Sequence, residues 1–134
     1  MPNISFNYAT KFSVFNSITT NEVIALIRDC NSKFSILDPI PAWLIKECAS
    51  EIGPFLTVLF NKSLMCGDFP CLYKIASVTS TLKKVQLDPA EPNNYRPVSN
   101  LHFFSKLLEK VVLIQMLDSL NSNNLFPEYQ SAYR

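Results

Sequence analysis

Glycine is nearly missing from this chain: there are 2 among 134 residues, against 9 prolines. That scarcity excludes a Gly-hinged phosphate loop and argues against an all-β fold built on tight hairpins. Long apolar runs are lacking as well. None approaches the ~18 residues that a bilayer span needs, so no membrane partner is expected. The opening Met1-Pro2-Asn3-Ile4 has no basic-then-apolar order of a signal peptide. An intracellular protein is expected, with no basic targeting run to choose between cytoplasm and nucleus. Metal-ligand spacing is also lacking. Cys30, Cys48, Cys66 and Cys71 with His102 are potential ligands, but they are widely and irregularly spaced and contain no C-x2-C pair. Reduced structural thiols are the expectation, and no metal site is assigned. His102, with no carboxylate or serine beside it in sequence, reads as a helix-start residue rather than a catalytic base.

What is present is apolar material. A hydrophobic fraction of 48%, with 10 Phe and 5 Tyr, suffices for one packed core. The net charge of +1 predicts no polyanion partner by itself, but it is unevenly spread. From Lys74 to Lys110 six cations (Lys74, Lys83, Lys84, Arg96, Lys106, Lys110) face three anions (Asp88, Glu91, Glu109). The middle of the chain is its basic part, a modest pointer to phosphate contact.

Residues 1–17 are polar and aromatic without period, an extended lead-in. Thr19-Thr20-Asn21-Glu22 has the form of a capping box, and Val23, Ile24 and Ile27 then share a face, predicting a helix over about 20–30. Asp38-Pro39-Ile40-Pro41 cannot be helix interior, and Asp38 reads as a turn or cap residue. Pro41 suits a first helical turn, with Leu44, Ile45 and Cys48 as its apolar face and Trp43 packed nearby. A second start is expected at Pro54, giving two short helices joined near Ser50–Gly53, the later one stopped by Gly67. Lys74–Leu82 alternates Ala76, Val78 and Leu82 with Ser77, Thr79 and Thr81, as a strand does. Val85–Pro92 is a loop, with Asp88 and Glu91 in a mobile part of it. Arg96–Leu101 is a candidate partner strand, completing an irregular hairpin. Phe104, Leu107, Leu108, Val111, Ile114 and Leu117 then repeat at helical spacing until Asn121–Asn124. The fold class expected is mainly α with a small β-hairpin (α+β).

The organising stretch is Asn93-Asn94-Tyr95-Arg96-Pro97-Val98-Ser99-Asn100-Leu101, with Leu82-Lys83-Lys84 upstream. Arg96 follows the lysine pair by twelve to thirteen residues. Arg offers a planar fork for phosphate oxygens and Lys a mobile point charge, a combination suited to one polyphosphate. Spacing alone favours the plainer reading, a solvated basic loop.

Several blocks, in order, resemble the opening of the reverse transcriptase domain of non-LTR (LINE-type) retrotransposons of the jockey and chicken-repeat group. They are Leu37-Asp38-Pro39-Ile40-Pro41-Ala42-Trp43-Leu44-Ile45-Lys46-Glu47-Cys48, Phe60-Asn61-Lys62-Ser63-Leu64, Gly67-Asp68-Phe69-Pro70 and Leu82-Lys83-Lys84. Then come the Asn93–Leu101 block, Ser105-Lys106-Leu107-Leu108-Glu109-Lys110-Val111-Val112, and finally Asn123-Asn124-Leu125-Phe126 with Gln130-Ser131-Ala132-Tyr133-Arg134. The resemblance covers roughly residues 12–134.

It implies the fingers part of a right-hand polymerase truncated before the palm proper, with residues 18–134 a partial reverse transcriptase domain comprising the fingers and the start of the palm. It places Lys83, Lys84 and Arg96 on the fingers hairpin against the triphosphate of the incoming nucleotide. Gln130 and Arg134, in a block resembling Q-x-G-F-R, are implied to lie near template and nucleotide, although Ala132 and Tyr133 replace its Gly and Phe. The family's metal-holding carboxylates lie beyond Arg134, so this chain has no catalytic residue and no cofactor of its own. Mg2+ is expected for the complete RNA-directed DNA polymerase, a nucleotidyltransferase, with RNA template, DNA primer and dNTP as partners. The chain alone is expected to be inactive and to bind nucleic acid weakly or not at all. The alternatives are a retroelement-derived helical protein-interaction module and a decayed, non-functional reading frame.

Overall fold

The computed structural model describes residues 12–31 and 36–126. Four helices and one two-stranded antiparallel sheet follow in the order α1 (Thr20–Asp29), α2 (Ala42–Glu47), α3 (Ala49–Cys66), β1 (Ala76–Leu82), β2 (Tyr95–Leu101) and α4 (Phe103–Ser122). Short 3-10 turns at Cys71–Lys74 and Pro92–Asn94 lead into the two strands.

The capping box forms as read. Thr19 accepts from the Glu22 amide, and Glu22 accepts from the Thr19 amide at 2.7 Å. The Thr19 amide and then the Thr19 hydroxyl, both donating to it, hold the Glu22 carboxyl below its ordinary range. The α1 face then buries Val23 and Ile27 completely. Gly67 ends α3 at φ +65, a left-handed backbone that an L side chain adopts only at a cost.

Pro54 behaves differently from the expectation. The helix junction falls at Cys48, and Pro54 lies inside α3 rather than at its start. Its ring tends to push the preceding residue out of helical backbone by clashing with that residue's Cβ. Gly53 has no Cβ, which relaxes the restriction. The same missing carbon admits α1, because a Cβ there would stand 2.6 Å from Ile24 Cγ1. Pro41 sits just outside α2 as its N-cap. Trp43, expected to pack, is 62% exposed.

The core joins Val23 and Ile27 of α1, Ala42 and Ile45 of α2, Ala49, Leu56 and Phe60 of α3, and Phe103, Leu107, Leu108 and Val111 of α4. The α4 stripe is therefore buried in its first half only; Ile114, read as part of it, is 48% exposed because the helix outruns the core. The helix ends at Asn123, as the Asn121–Asn124 run predicts.

Before α1, the chain from Phe12 to Thr19 has no regular structure, yet it is pinned to both long helices by side-chain amides. Asn61 of α3 accepts from the Ile18 amide at 2.8 Å and donates to the Ile18 carbonyl at 2.9 Å. Gln115 of α4 does the same for Asn16, at 2.8 and 3.0 Å. The clamped residues are two apart, the repeat of an extended chain. Neither clamp depends on the identity of the side chain it holds.

Candidate functional site

The register of the hairpin decides which side chains meet. Thr81 lies opposite Arg96, Leu82 opposite Tyr95, and Ser80 opposite Pro97. The Lys83 amide donates to the Asn94 carbonyl at 2.9 Å, continuing the ladder by one pair. The Asn94 amide turns instead to the Glu91 carbonyl, so this last pair makes one bond only. That bond is of the hydrogen-bonded kind, and by alternation Thr81–Arg96, Thr79–Val98 and Ser77–Asn100 are hydrogen-bonded pairs while Ser80–Pro97 is not. Pro97 thus points its missing donor away from β1, the position where a strand tolerates proline.

One face therefore carries Ser77, Thr79, Thr81, Arg96, Val98 and Asn100, with Lys83 following in line. The bond from Asn100 Nδ2 to Thr79 Oγ1 at 3.2 Å confirms that these side chains share a side. Lys83 and Arg96 are diagonal neighbours, whose backbones stand roughly 7–8 Å apart in an antiparallel pair. The opposite face carries Ala76, Val78, Leu82, Tyr95, Pro97 and Leu101, and Val78 is 62% exposed. The strands pair chiefly with one another, so the hairpin stands out from the helical body.

The loop from Lys83 to Asn94 is tied down by its own side chains, in place of the mobility expected around Asp88 and Glu91. Asp88 accepts from the Ala90 amide at 2.9 Å, an Asx turn. Glu91 accepts from both the backbone and the side-chain amide of Asn93, at 3.1 and 2.8 Å. Asn94 Nδ2 reaches the Asp88 carbonyl at 3.0 Å, and the Tyr95 hydroxyl reaches that of Pro89 at 3.0 Å. The signal for this was the Asp-Pro-Ala-Glu-Pro-Asn-Asn wording, rich in residues that bond to local backbone.

Lys83 Nζ donates to the Asn93 carbonyl at 2.8 Å, which places the ammonium at the loop while leaving it further N–H groups. Lys84 and Arg96 are exposed, and among the described residues none of the three cations is paired with a carboxylate. The structure thus brings Lys83 and Arg96 onto one face, with Lys84 in the adjoining bend. Lys110, counted with the basic middle, is spent elsewhere: it pairs with Asp29 of α1. Its hydrogen bond and then its charge hold the Asp29 carboxyl below the usual range. Gln130 and Arg134 lie outside the described residues.

Two residues read as local features act at long range. The Phe103 amide, first of α4, donates to Asp38 Oδ1 at 2.9 Å and Oδ2 at 3.2 Å, with His102 Nδ1 3.3 Å from Oδ1. Asp38 is indeed a cap, but of a helix 65 positions later. Ser105, wholly buried, donates its hydroxyl to the Tyr73 carbonyl at 2.7 Å. Burial also pushes the Tyr73 phenol up from its ordinary value.

Among the described residues no group of three or more His, Cys, Asp or Glu is placed to hold a metal, and no helix is long and apolar enough to cross a membrane. Cys30, Cys48, Cys66 and Cys71 are free thiols.

No family model matches the chain, and no solved structure matches it significantly. Curated proteins do. The probable RNA-directed DNA polymerase from transposon X-element of Drosophila melanogaster is 26% identical over 109 residues, 81% of this chain and 12% of that protein. The RNA-directed DNA polymerase from mobile element jockey of Drosophila funebris is 32% identical over 120 residues, 72% of this chain and 13% of its own length. Its counterpart in Drosophila melanogaster is 31% identical over 80 residues, 60% of this chain and 9% of that protein. The chain spans only about an eighth of the length of such relatives. Over most of its own length, the chain is similar to one short stretch of the RNA-directed DNA polymerases of non-LTR retrotransposons.

Proposed function

We propose that this chain is the fingers segment of such a polymerase and that Lys83, Lys84 and Arg96 hold the triphosphate of an incoming nucleotide. The observation that carries the reading is the set of three unpaired cations at the outer end of a projecting hairpin whose loop is fixed by its own carboxylates. Phosphoryl transfer depends on positioning and on charge placed in advance where negative charge lies. Arg96 supplies a directional fork and Lys83 an ammonium already oriented by Asn93; Lys84 adds charge at the bend. RNA template and DNA primer are the partners in the full-length parent. The metal-assisted step needs clustered carboxylates, and among the described residues no such cluster is placed to hold a metal.

The test is titration of the chain with a deoxynucleoside triphosphate at several salt concentrations, with and without Arg96→Ala. A charge-assisted hydrogen bond contributes ~1.5–3 kcal/mol, and solvent exposure cuts that to ~1 kcal/mol, so a fivefold to tenfold loss of affinity is expected. Binding that ignores both salt and Arg96→Ala would refute the assignment.

A second reading, a helical protein-interaction module, is favoured by Leu113 and Met116, three positions apart on one face of α4 and left open. It predicts a chain that unfolds cooperatively, binds protein and ignores nucleotide.

A further inference from the structure

We infer that Asp38 and Ser105 are positioning residues: together they fix the direction in which the hairpin leaves the helical body, and so where Lys83 and Arg96 stand. The inference rests on the proposed role of those cations. Both roots of the hairpin meet the first turn of α4. The outgoing root, Leu101-His102-Phe103, is held by the Asp38 carboxylate through the Phe103 amide at 2.9 and 3.2 Å. The incoming root, Tyr73 to Ile75, is held by the Ser105 hydroxyl at 2.7 Å. Asp38 sits in Asp38-Pro39-Ile40-Pro41, where two prolines stiffen the backbone that presents the carboxylate. Its side chain is only 13% exposed and that of His102 23%, so water competes little for the contact. The carboxylate also meets the positive end of α4, which favours it electrostatically.

The geometry makes a lever of the hairpin. Five residues separate Leu101 from Arg96, or ~17 Å at ~3.3 Å per residue. A ~10° tilt at the root would carry Arg96 by ~3 Å, about the full length of a hydrogen bond. Misplacement on this scale is enough to uncouple a binding group from its target. A cap of purely structural value would lower the melting temperature and leave the hairpin's direction untouched.

The experiment compares the full isotope-labelled chain with Asp38→Ala, Asp38→Asn and Ser105→Ala, each well below its own unfolding transition. Residual dipolar couplings report the orientation of β1 and β2 amides against those of α1, α3 and α4. Affinity for inorganic tripolyphosphate is measured in parallel. The hairpin is expected to turn as a unit in Asp38→Ala and Ser105→Ala. Asp38→Asn, which keeps an acceptor oxygen, restores the original direction. Tripolyphosphate affinity should fall about threefold to tenfold in the two alanine variants, as expected for contacts displaced rather than deleted. Unchanged couplings in variants that melt earlier would overturn the inference. If Asp38→Ala does not fold, Ser105→Ala and Asp38→Asn decide the matter by the same couplings. Failure of the nucleotide reading shows separately, as tripolyphosphate binding indifferent to Arg96→Ala in a chain whose hairpin still turns.

Discussion

Replacing Asn61 with alanine tests whether the segment before α1 belongs to the fold. Asn61 makes two hydrogen bonds to the Ile18 backbone in a half-buried setting. Each contributes ~0.5–1.5 kcal/mol, and removing the amide leaves a shielded N–H and C=O that add part of a ~1–3 kcal/mol desolvation cost. A loss of about 2–3 kcal/mol is expected. Gln115 makes an equivalent pair with Asn16, but there the backbone is exposed and water replaces the lost partner. Gln115→Ala should therefore cost under about 1 kcal/mol. The double variant should cost less than the sum, because a segment released at one clamp gains little from the other. Urea unfolding at a common m-value measures all three. Equal losses for the two single variants, or a loss below about 0.5 kcal/mol for Asn61→Ala, would refute the reasoning, since burial would then not govern the bonds.

Gly53→Ala should destabilise by about 1 kcal/mol, because ~1–3 kcal/mol of overpacking outweighs the ~1 kcal/mol gained in helix propensity. The clash with Ile24 is one cause and the restored clash with the Pro54 ring the other, so in thermal melts Gly53→Ala should cost less in an Ile24→Ala background than in the wild type, without becoming stabilising. Glu22 has a lowered carboxyl, so its contribution is present above the ordinary ~4.3 of Glu and is lost as pH falls through the lower folded value. The gap in stability between wild type and Thr19→Ala, about 1 kcal/mol at neutral pH, should accordingly narrow below pH ~4. A gap that widens on acidification would contradict the capping assignment.

Local chemistry was legible in the sequence wherever a few neighbouring residues decide the outcome. The Thr19–Glu22 box, the Gly67 stop, the alternation of Ala76–Leu82 and the Asn-rich end of α4 all depend on contacts within a turn or two. Asp38 could be recognised as a capping residue, but not the helix it caps, because that depends on a contact across 65 positions. The amide clamps at Asn61 and Gln115 were invisible for the same reason. Proline commonly opens a helix, but the Gly before Pro54 lets α3 run through it. Trp43 misled because large apolar residues are expected inside, while α2 is too short to bury both its sides. The three cations looked no different from a solvated loop until the family resemblance singled them out. The register that sets Lys83 beside Arg96 then gave the grouping a geometry.

Pro97 has a consequence for solubility. A two-stranded sheet has two open flanks, each able to recruit another chain by backbone pairing. On the β2 flank, Pro97 offers no donor and the Tyr95 amide is already bound to the Pro92 carbonyl. The β1 flank has no such guard: Val78, Ser80 and Leu82 turn their amides outward along a β-branched run. Self-association at high concentration should therefore proceed through β1, and Val78→Lys should suppress it, as light scattering of the concentrated chain would show. The hairpin thus has a β2 side guarded near its outer end by Tyr95 and Pro97, and a more adhesive β1 side with no such guard.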